Sequence, residues 1–238
     1  MRMIGIIGGM SAESTKLYVD RLNAETRRRL GGLHSADLLV RSVDFADIAV
    51  MQSAGQWDEA GAFLADIAVR LERAGADIIL LATNTMHKVA DRIEDAVSVP
   101  FVHIADATGA RIAARGLKRP ALLATAFTVE ESFYTGRLTE RFGLEAVIPT
   151  ADQRALIHRV IYEELCRGIV SEASRAAFVE IARSCVARGA DCVILGCTEV
   201  GLLLNDDNVP VPVFDTACIH ADTALDLALA PALRVAAE

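Results

Sequence analysis

The chain repeats itself. GADIILLATNT at residues 75–85 and GADCVILGCTE at residues 189–199 share a Gly-Ala-Asp opening, an apolar run and a polar ending. Aligned on Gly75 and Gly189, the copies set Thr83 opposite Cys197. Each has the form of a helix-ending glycine, a buried strand and a turn at the strand's carboxyl end. A repeat of this form at half-length spacing constrains the chain to two similar lobes whose equivalent strand ends face one cleft. Chemistry on both faces of a small molecule needs an acid/base group on each wall of such a cleft. Here one wall offers a thiol and the other a hydroxyl.

The rest of the chain has the matching pattern. Short apolar runs at Met3–Ile7, Asp37–Ser42, Ile78–Ala82 and Phe101–His103 are followed by runs at Ala121–Ala124, Ala146–Ile148, Cys192–Gly196 and Pro212–Phe214. That predicts a four-stranded sheet in each half. Continuous rather than alternating apolar runs suit parallel strands covered on both faces. Helical periodicity lies between them, at Ser14–Leu30 (fronted by Ser11 and stopped by Gly31), Asp58–Ala74, Gln153–Cys166 and Glu172–Arg188. An alanine- and leucine-rich amphipathic helix is expected from Ala221 onward, with scope to pack across the lobes. The α/β fold expected is two Rossmann-like lobes related by a pseudo-twofold axis, residues 1–115 and 116–238, with the site between them.

Composition narrows the function. A net charge of −8, with Arg27–Arg29 the one basic cluster, argues against a nucleic-acid surface. No run approaches the roughly 18 apolar residues of a membrane span. The glycine-interrupted start MRMIGIIGGMS reads as a buried strand rather than a secretory signal, so a cytoplasmic protein is expected. Cys166, Cys185, Cys192, Cys197 and Cys218 form no CxxC pair, which points to free thiols and to no metal site.

Four polar constellations sit at strand ends. Cys197 has two readings, a buried structural cysteine or a thiol whose pKa the following turn lowers for proton transfer; the repeat favours the second. Thr83-Asn84-Thr85-Met86-His87 supplies short polar groups that cap a helix or hold a carboxylate. The glycines of Gly5-Ile6-Ile7-Gly8-Gly9-Met10-Ser11 fit neither nucleotide-loop spacing, so close backbone approach to a small ligand is the better reading. Thr125 and Thr128 occupy the equivalent place in the second half. Asp44 and Asp106 end strand patterns, as turn caps or cleft residues.

Taken together, GGMS-x-EST (Gly8–Thr15), TNTMHKVAD (Thr83–Asp91), TAFTVEESFY (Thr125–Tyr134) and GCTEVGLLL (Gly196–Leu204) resemble the aspartate/glutamate racemase family. The resemblance spans nearly the whole chain. It implies a pyridoxal-phosphate-independent enzyme with its site between two lobes and, in the usual pattern, one catalytic cysteine from each. The second cysteine maps onto Cys197. The first maps onto Thr83, a departure shared with members that carry TNTMHK and are associated with L-aspartate and L-glutamate. By the same resemblance the substrate carboxylates are held by Met10, Gln52, Asn84, Thr85, Thr125, Thr128, Thr198 and Glu199, with Arg167 on the side-chain carboxylate.

The implied reaction is racemisation of an acidic amino acid, with Cys197 as the base on the L-isomer and Thr83, or a water it orders, as proton donor to the opposite face. No cofactor is implied, and a homodimer fits the family. The rivals are an arylmalonate-type decarboxylase, which pairs a single second-lobe cysteine with an apolar opposite pocket, and a non-catalytic acidic amino-acid-binding protein.

Overall fold

The computed structural model describes residues 1–231. In the first half the order is β1 (Ile4–Gly8), α1 (Ala12–Leu30), β2 (Leu38–Ser42), α2 (Phe45–Ser53), α3 (Trp57–Arg73), β3 (Ile78–Leu81), α4 (Ala90–Glu94), β4 (Phe101–Val102) and α5 (Ile104–Ala113). The second half continues with β5 (Pro120–Leu123), α6 (Ala126–Glu130), α7 (Ser132–Phe142), α8 (Ala151–Glu163), α9 (Glu172–Ala187), β6 (Cys192–Leu195), β7 (Val213–Asp215) and α10 (Thr216–Leu229). All strand pairs are parallel, in a four-stranded sheet β2-β1-β3-β4 and a three-stranded sheet β5-β6-β7. This is the two-lobed α/β fold the repeat requires.

The second sheet corrects one expectation. The run Ala146–Ile148 contributes only a bridge, Val147 against Ala121. It lies where β2 lies in the first sheet, and Val147 N–H donates to Pro120 C=O at 2.8 Å. Pro149 follows at once and has no N–H to continue a ladder, so the fourth strand stops at its first rung.

Local chemistry sets the helix ends. Ser11 caps α1 by accepting from Ser14 N–H, which starts the helix two residues before the apolar periodicity does. Thr150 and Gln153 form a reciprocal capping box at the head of α8. α10 begins at Thr216, earlier than expected, because Asp215 caps it by accepting from Cys218 N–H. The part of the expected C-terminal helix from 232 onward lies outside the described residues.

The last helix of each half covers the sheet of the other. α10 lays Ala217, Ala221, Ala224, Leu225 and Ala228 against Ile4, Ile6, Ile78 and Leu80 of the first sheet. α5 lays Ile104, Ala105 and Ile112 against Leu122, Ala124, Ile194 and Phe214 of the second. Bidentate bonds from Arg21 to Asp222, at 2.7 and 2.8 Å, fasten α1 to α10. These crossed helices bring the carboxyl ends of β1, β3, β5 and β6 to one place. Two glycines permit the approach. A Cβ on Gly9 (φ +95) would lie 2.2 Å from the Val43 carbonyl oxygen, and one on Gly196 would lie 2.7 Å from Ala124 Cβ.

Candidate active site

A cavity opens where these strand ends meet. Thr83, Asn84 and Thr85 follow β3, Met10 follows β1, and Gln52 reaches in from α2. Thr125 follows β5, and Cys197, Thr198 and Glu199 follow β6. Ten of the eleven residues singled out from the sequence are therefore in or against one site, Thr128 standing directly behind Thr85 and Thr125. The cavity is tight, with about 30 Å³ of free volume between its walls.

Arg167 is the exception and a correction. α8 ends at Glu163, and the next residues, Leu165–Arg167, form a tight turn closed by Gly168 in the left-handed conformation. That turn buries Leu165, points Cys166 into the cavity and leaves Arg167 exposed outside it. Tyr162 and Ile161 complete this wall, and Phe45 stands with Gln52. None of these four cavity residues (Phe45, Ile161, Tyr162, Cys166) belongs to a polar strand-end cluster, the signal that found the others. Among the described residues, no lysine or arginine lines the cavity.

Two sets of polar groups stand beside Thr83. The hydroxyls of Thr85, Thr125 and Thr128 form a triangle with sides of 3.1, 3.2 and 3.3 Å, drawn from both lobes and buried. Hydroxyls turn to suit their partner, so such a triangle can donate to a carboxylate. Beside it, Asn84 Nδ2 donates to Thr216 Oγ1 at 3.0 Å, and Thr216 Oγ1 donates to Leu195 C=O at 2.8 Å. Thr216 thus ties the ends of β3 and β6 together. It also fixes the Asn84 amide so that its Oδ1 is the free acceptor, buried and without a partner among the described residues. A buried acceptor in that state calls for a donor such as an α-ammonium group.

Thr83 itself is held from behind. Its carbonyl accepts from His87 Nδ1 at 2.7 Å, and His87 Nε2 accepts from Ile104 N–H. That fixes the neutral tautomer, and burial holds the His87 pKa well below its ordinary value. His87 therefore positions the strand end and is not a general base in the cavity.

The opposite wall has different electrostatics. Glu199 is buried, and its Oε1 accepts from Ser11 Oγ at 2.5 Å and more distantly from Cys166 Sγ at 3.9 Å. Oε2 accepts from Thr198 Oγ1 and, at 3.0 Å, from Cys197 Sγ. A carboxylate so engaged repels rather than holds a second carboxylate, so the Glu199 side chain is directed to Cys197, and only the backbone of the Thr198-Glu199 turn is left to face an acid group. The expected lowering of the Cys197 pKa is also reversed. Burial first and the Glu199 charge second push the thiol up, and the same two causes push Cys166 up to about 12. At rest Cys197 is a thiol donating to a carboxylate. Asp44 caps α2 and Asp106 pairs with Arg137 and Arg141, and neither lines the cavity.

The family model for Asp/Glu/hydantoin racemases matches residues 7–224. The chain belongs to this family. Membership makes it an enzyme of the amino-acid racemase class, which works without pyridoxal phosphate. It is 47% identical to a candidate Asp/Glu racemase from Yersinia pestis, over 97% of this chain and all of that one, with a TM-score of 0.91. It is 36% identical to PH1733, an aspartate racemase homologue from Pyrococcus horikoshii OT3, covering 96% and 99% of the two chains at a TM-score of 0.84. It is also 24% identical to the broad specificity amino-acid racemase RacX of Bacillus subtilis (strain 168), over 93% of this chain and 96% of that protein.

Proposed function

We propose that the protein inverts the α-carbon of an amino acid with Cys197 as the base on the L-face and Thr83 as the donor on the other. The observation that carries this is the pairing of equivalent strand ends across one cavity, thiol against hydroxyl. The α-ammonium donates to Asn84 Oδ1 and the α-carboxylate lies on the Thr85 and Thr125 hydroxyls, which Thr128 backs, and this fixes the α-hydrogen toward Cys197. Glu199 takes the thiol proton through the 3.0 Å hydrogen bond. The resulting thiolate removes the α-hydrogen, and hydrogen bonds to the carboxylate stabilise the planar carbanion. Thr83, whose hydroxyl has no protein partner among the described residues, delivers a proton to the opposite face directly or through a water. An alcohol is a poor base, so the reverse removal from the D-isomer is slow. The equilibrium stays at one to one, and the asymmetry is confined to rates.

The substrate class follows from the remaining wall. Family resemblance favours L-aspartate and L-glutamate. With Arg167 exposed and no cation on the wall, a side-chain carboxylate rests on Gln52 and hydroxyls alone, close to Glu199. Short neutral polar side chains fit that wall better, and acidic ones bind with the poorer KM. The name of RacX, a broad-specificity enzyme, accords with this breadth. The polar Thr83 wall disfavours the decarboxylase, which needs an apolar pocket there, and the built proton machinery disfavours a silent binder.

The test is incubation in D₂O with L-aspartate, L-glutamate, L-asparagine, L-serine and their D-isomers, following α-proton loss and product chirality. Inversion that is abolished in Cys197→Ala supports the reading. Absence of inversion with the whole panel refutes it.

A further inference from the structure

A second, larger cavity lies behind the catalytic turn. It has a volume of about 630 Å³ and is open to solvent, between Leu17 and Ala24 of α1 and Leu165 and Val170 of the segment after α8. Lys16 and Asp20 stand at its mouth with side chains 71% and 63% exposed. Thr198 and Glu199 line this cavity and the substrate cavity alike, whereas Cys197 lines only the latter. Glu199 is therefore part of both walls, with the Cys197 thiol on one side and a space open to solvent on the other.

We propose that Glu199 is the proton port of Cys197, connecting the partly buried thiol to water in the rear cavity. The inference rests on the racemase reading above. The steps balance. The thiol proton passes to Glu199, leaving thiolate and neutral carboxyl. The thiolate then takes the α-hydrogen as a proton and is again a thiol. The Glu199 proton leaves to water in the rear cavity, restoring the carboxylate, while the proton delivered by Thr83 is replaced from water on the substrate side. Repeating the first step with substrate bound sends the captured α-proton out by the same port.

The two walls then differ in more than acidity. Thr83 is backed by the buried, neutral His87, and its hydroxyl meets water only through the substrate cavity. A proton taken from the L-face exchanges with solvent while substrate is still bound. One taken from the D-face does not.

Deuterium wash-out tests this with whichever amino acid the enzyme inverts. In D₂O the recovered L-substrate should carry α-deuterium ahead of inversion, and the recovered D-substrate should not. Val170→Trp and Ala24→Trp, on separate elements and at exposed positions, fill the rear cavity without touching the Glu199 hydrogen bonds. Each should bring L-side wash-out down to the rate of inversion, and inversion itself should slow as well, because the Glu199 proton leaves by the same route in every turnover. Glu199→Gln should lose the excess wash-out together with about 10²-fold in kcat, the usual contribution of a proton-transfer group. Persistence of the excess in both tryptophan variants, or inversion by the parent with no L-side excess, overturns the port. Absence of both inversion and wash-out overturns the racemase reading and the port with it.

Discussion

The two walls of the substrate cavity descend from one repeated segment, yet they are built for opposite work. The Thr83 wall is neutral, with hydroxyls, an oriented amide and a buried imidazole that only braces the backbone. The Cys197 wall is charged. A buried carboxylate there draws donors from Ser11, Cys166, Cys197 and Thr198. The difference teaches that a pseudo-symmetric scaffold can leave its strand ends in place while the side chains they carry set unlike electrostatics on the two walls.

The comparison breaks most severely if the thiol is removed. Cys197→Ala should lower kcat for the L-isomer by about 10³-fold, within the range for loss of a general base. Cys197→Ser, which keeps an alcohol in place, should recover little of it. A Cys197→Ala enzyme that exchanges the α-proton of its L-substrate near the parent's rate would overturn the assignment.

Glu199→Gln is next, at about 10²-fold in kcat, because the amide keeps the shape of the turn but cannot take a proton. It has a second readout. The carboxylate charge raises the Cys197 pKa on top of burial, so removing the charge moves the thiol down. Alkylation of Cys197 by iodoacetamide should then begin at lower pH in the variant than in the parent. An unchanged onset would mean that burial alone sets the thiol and that Glu199 does not act on it.

Thr83 sharpens the comparison from the other side. Thr83→Cys restores a thiol to each wall and should raise turnover of the D-isomer by about tenfold, since a thiol gives up and takes a proton more readily than an alcohol. Thr83→Ala should lower L-isomer turnover by a similar factor. Full rates in both Thr83→Ala and Thr83→Ser would give the donor role to water alone.

How much of this was legible in the sequence follows from what each residue answers to. The repeat located Thr83 and Cys197 because a buried parallel strand delivers its next residue to the sheet's carboxyl edge whatever surrounds it. Thr125 and Thr128 were legible for the same reason. Tyr162 was not, because it is one of several partly apolar positions on α8, and Cys166 was not, because the helix tightens after Glu163 and turns its side chain away from the helical direction. That rotation also carries Arg167 outward. Glu199 was visible as a polar residue in the right turn, but its partner Ser11 lies 188 residues away in sequence, and no local pattern reports such a bond. The bridge at Val147 was misread as a full strand, although Pro149 was in plain view. The exchange of α5 and α10 between sheets was only half visible, since amphipathic periodicity shows that a helix has an apolar face and not which sheet receives it.

The smallest effect expected concerns the scaffold behind Thr83. His87, His103 and His220 are buried together where α5 and α10 meet the first sheet, with the His87 and His103 ring centroids 4.5 Å apart and those of His87 and His220 5.7 Å apart. Each is fixed as neutral. His220 Nε2 donates to Val102 C=O, so its Nδ1 accepts from Tyr18 Oη. His103 Nδ1 accepts from Ala105 N–H, and His87 is bonded as described. Burial takes His220 down to about 4 and His103 to about 2, with His87 well below its usual range. Because these folded values lie below the unfolded value of about 6.5, the unfolded chain binds more protons between them. The stability the neutral rings contribute is therefore complete above about pH 6.5 and is lost as pH falls, down to about 4 for His220 and to about 2 for His103. The melting temperature should drop between about pH 7 and pH 5, and L-isomer turnover should follow it only once the fold begins to open. His103→Asn keeps a side-chain acceptor at the head of α5 without a titrating ring, so its melting temperature should fall less steeply over the same interval. An equal slope in parent and variant would place the acid sensitivity outside this cluster, and the Thr83 wall would then be no more sensitive to acid than the Cys197 wall.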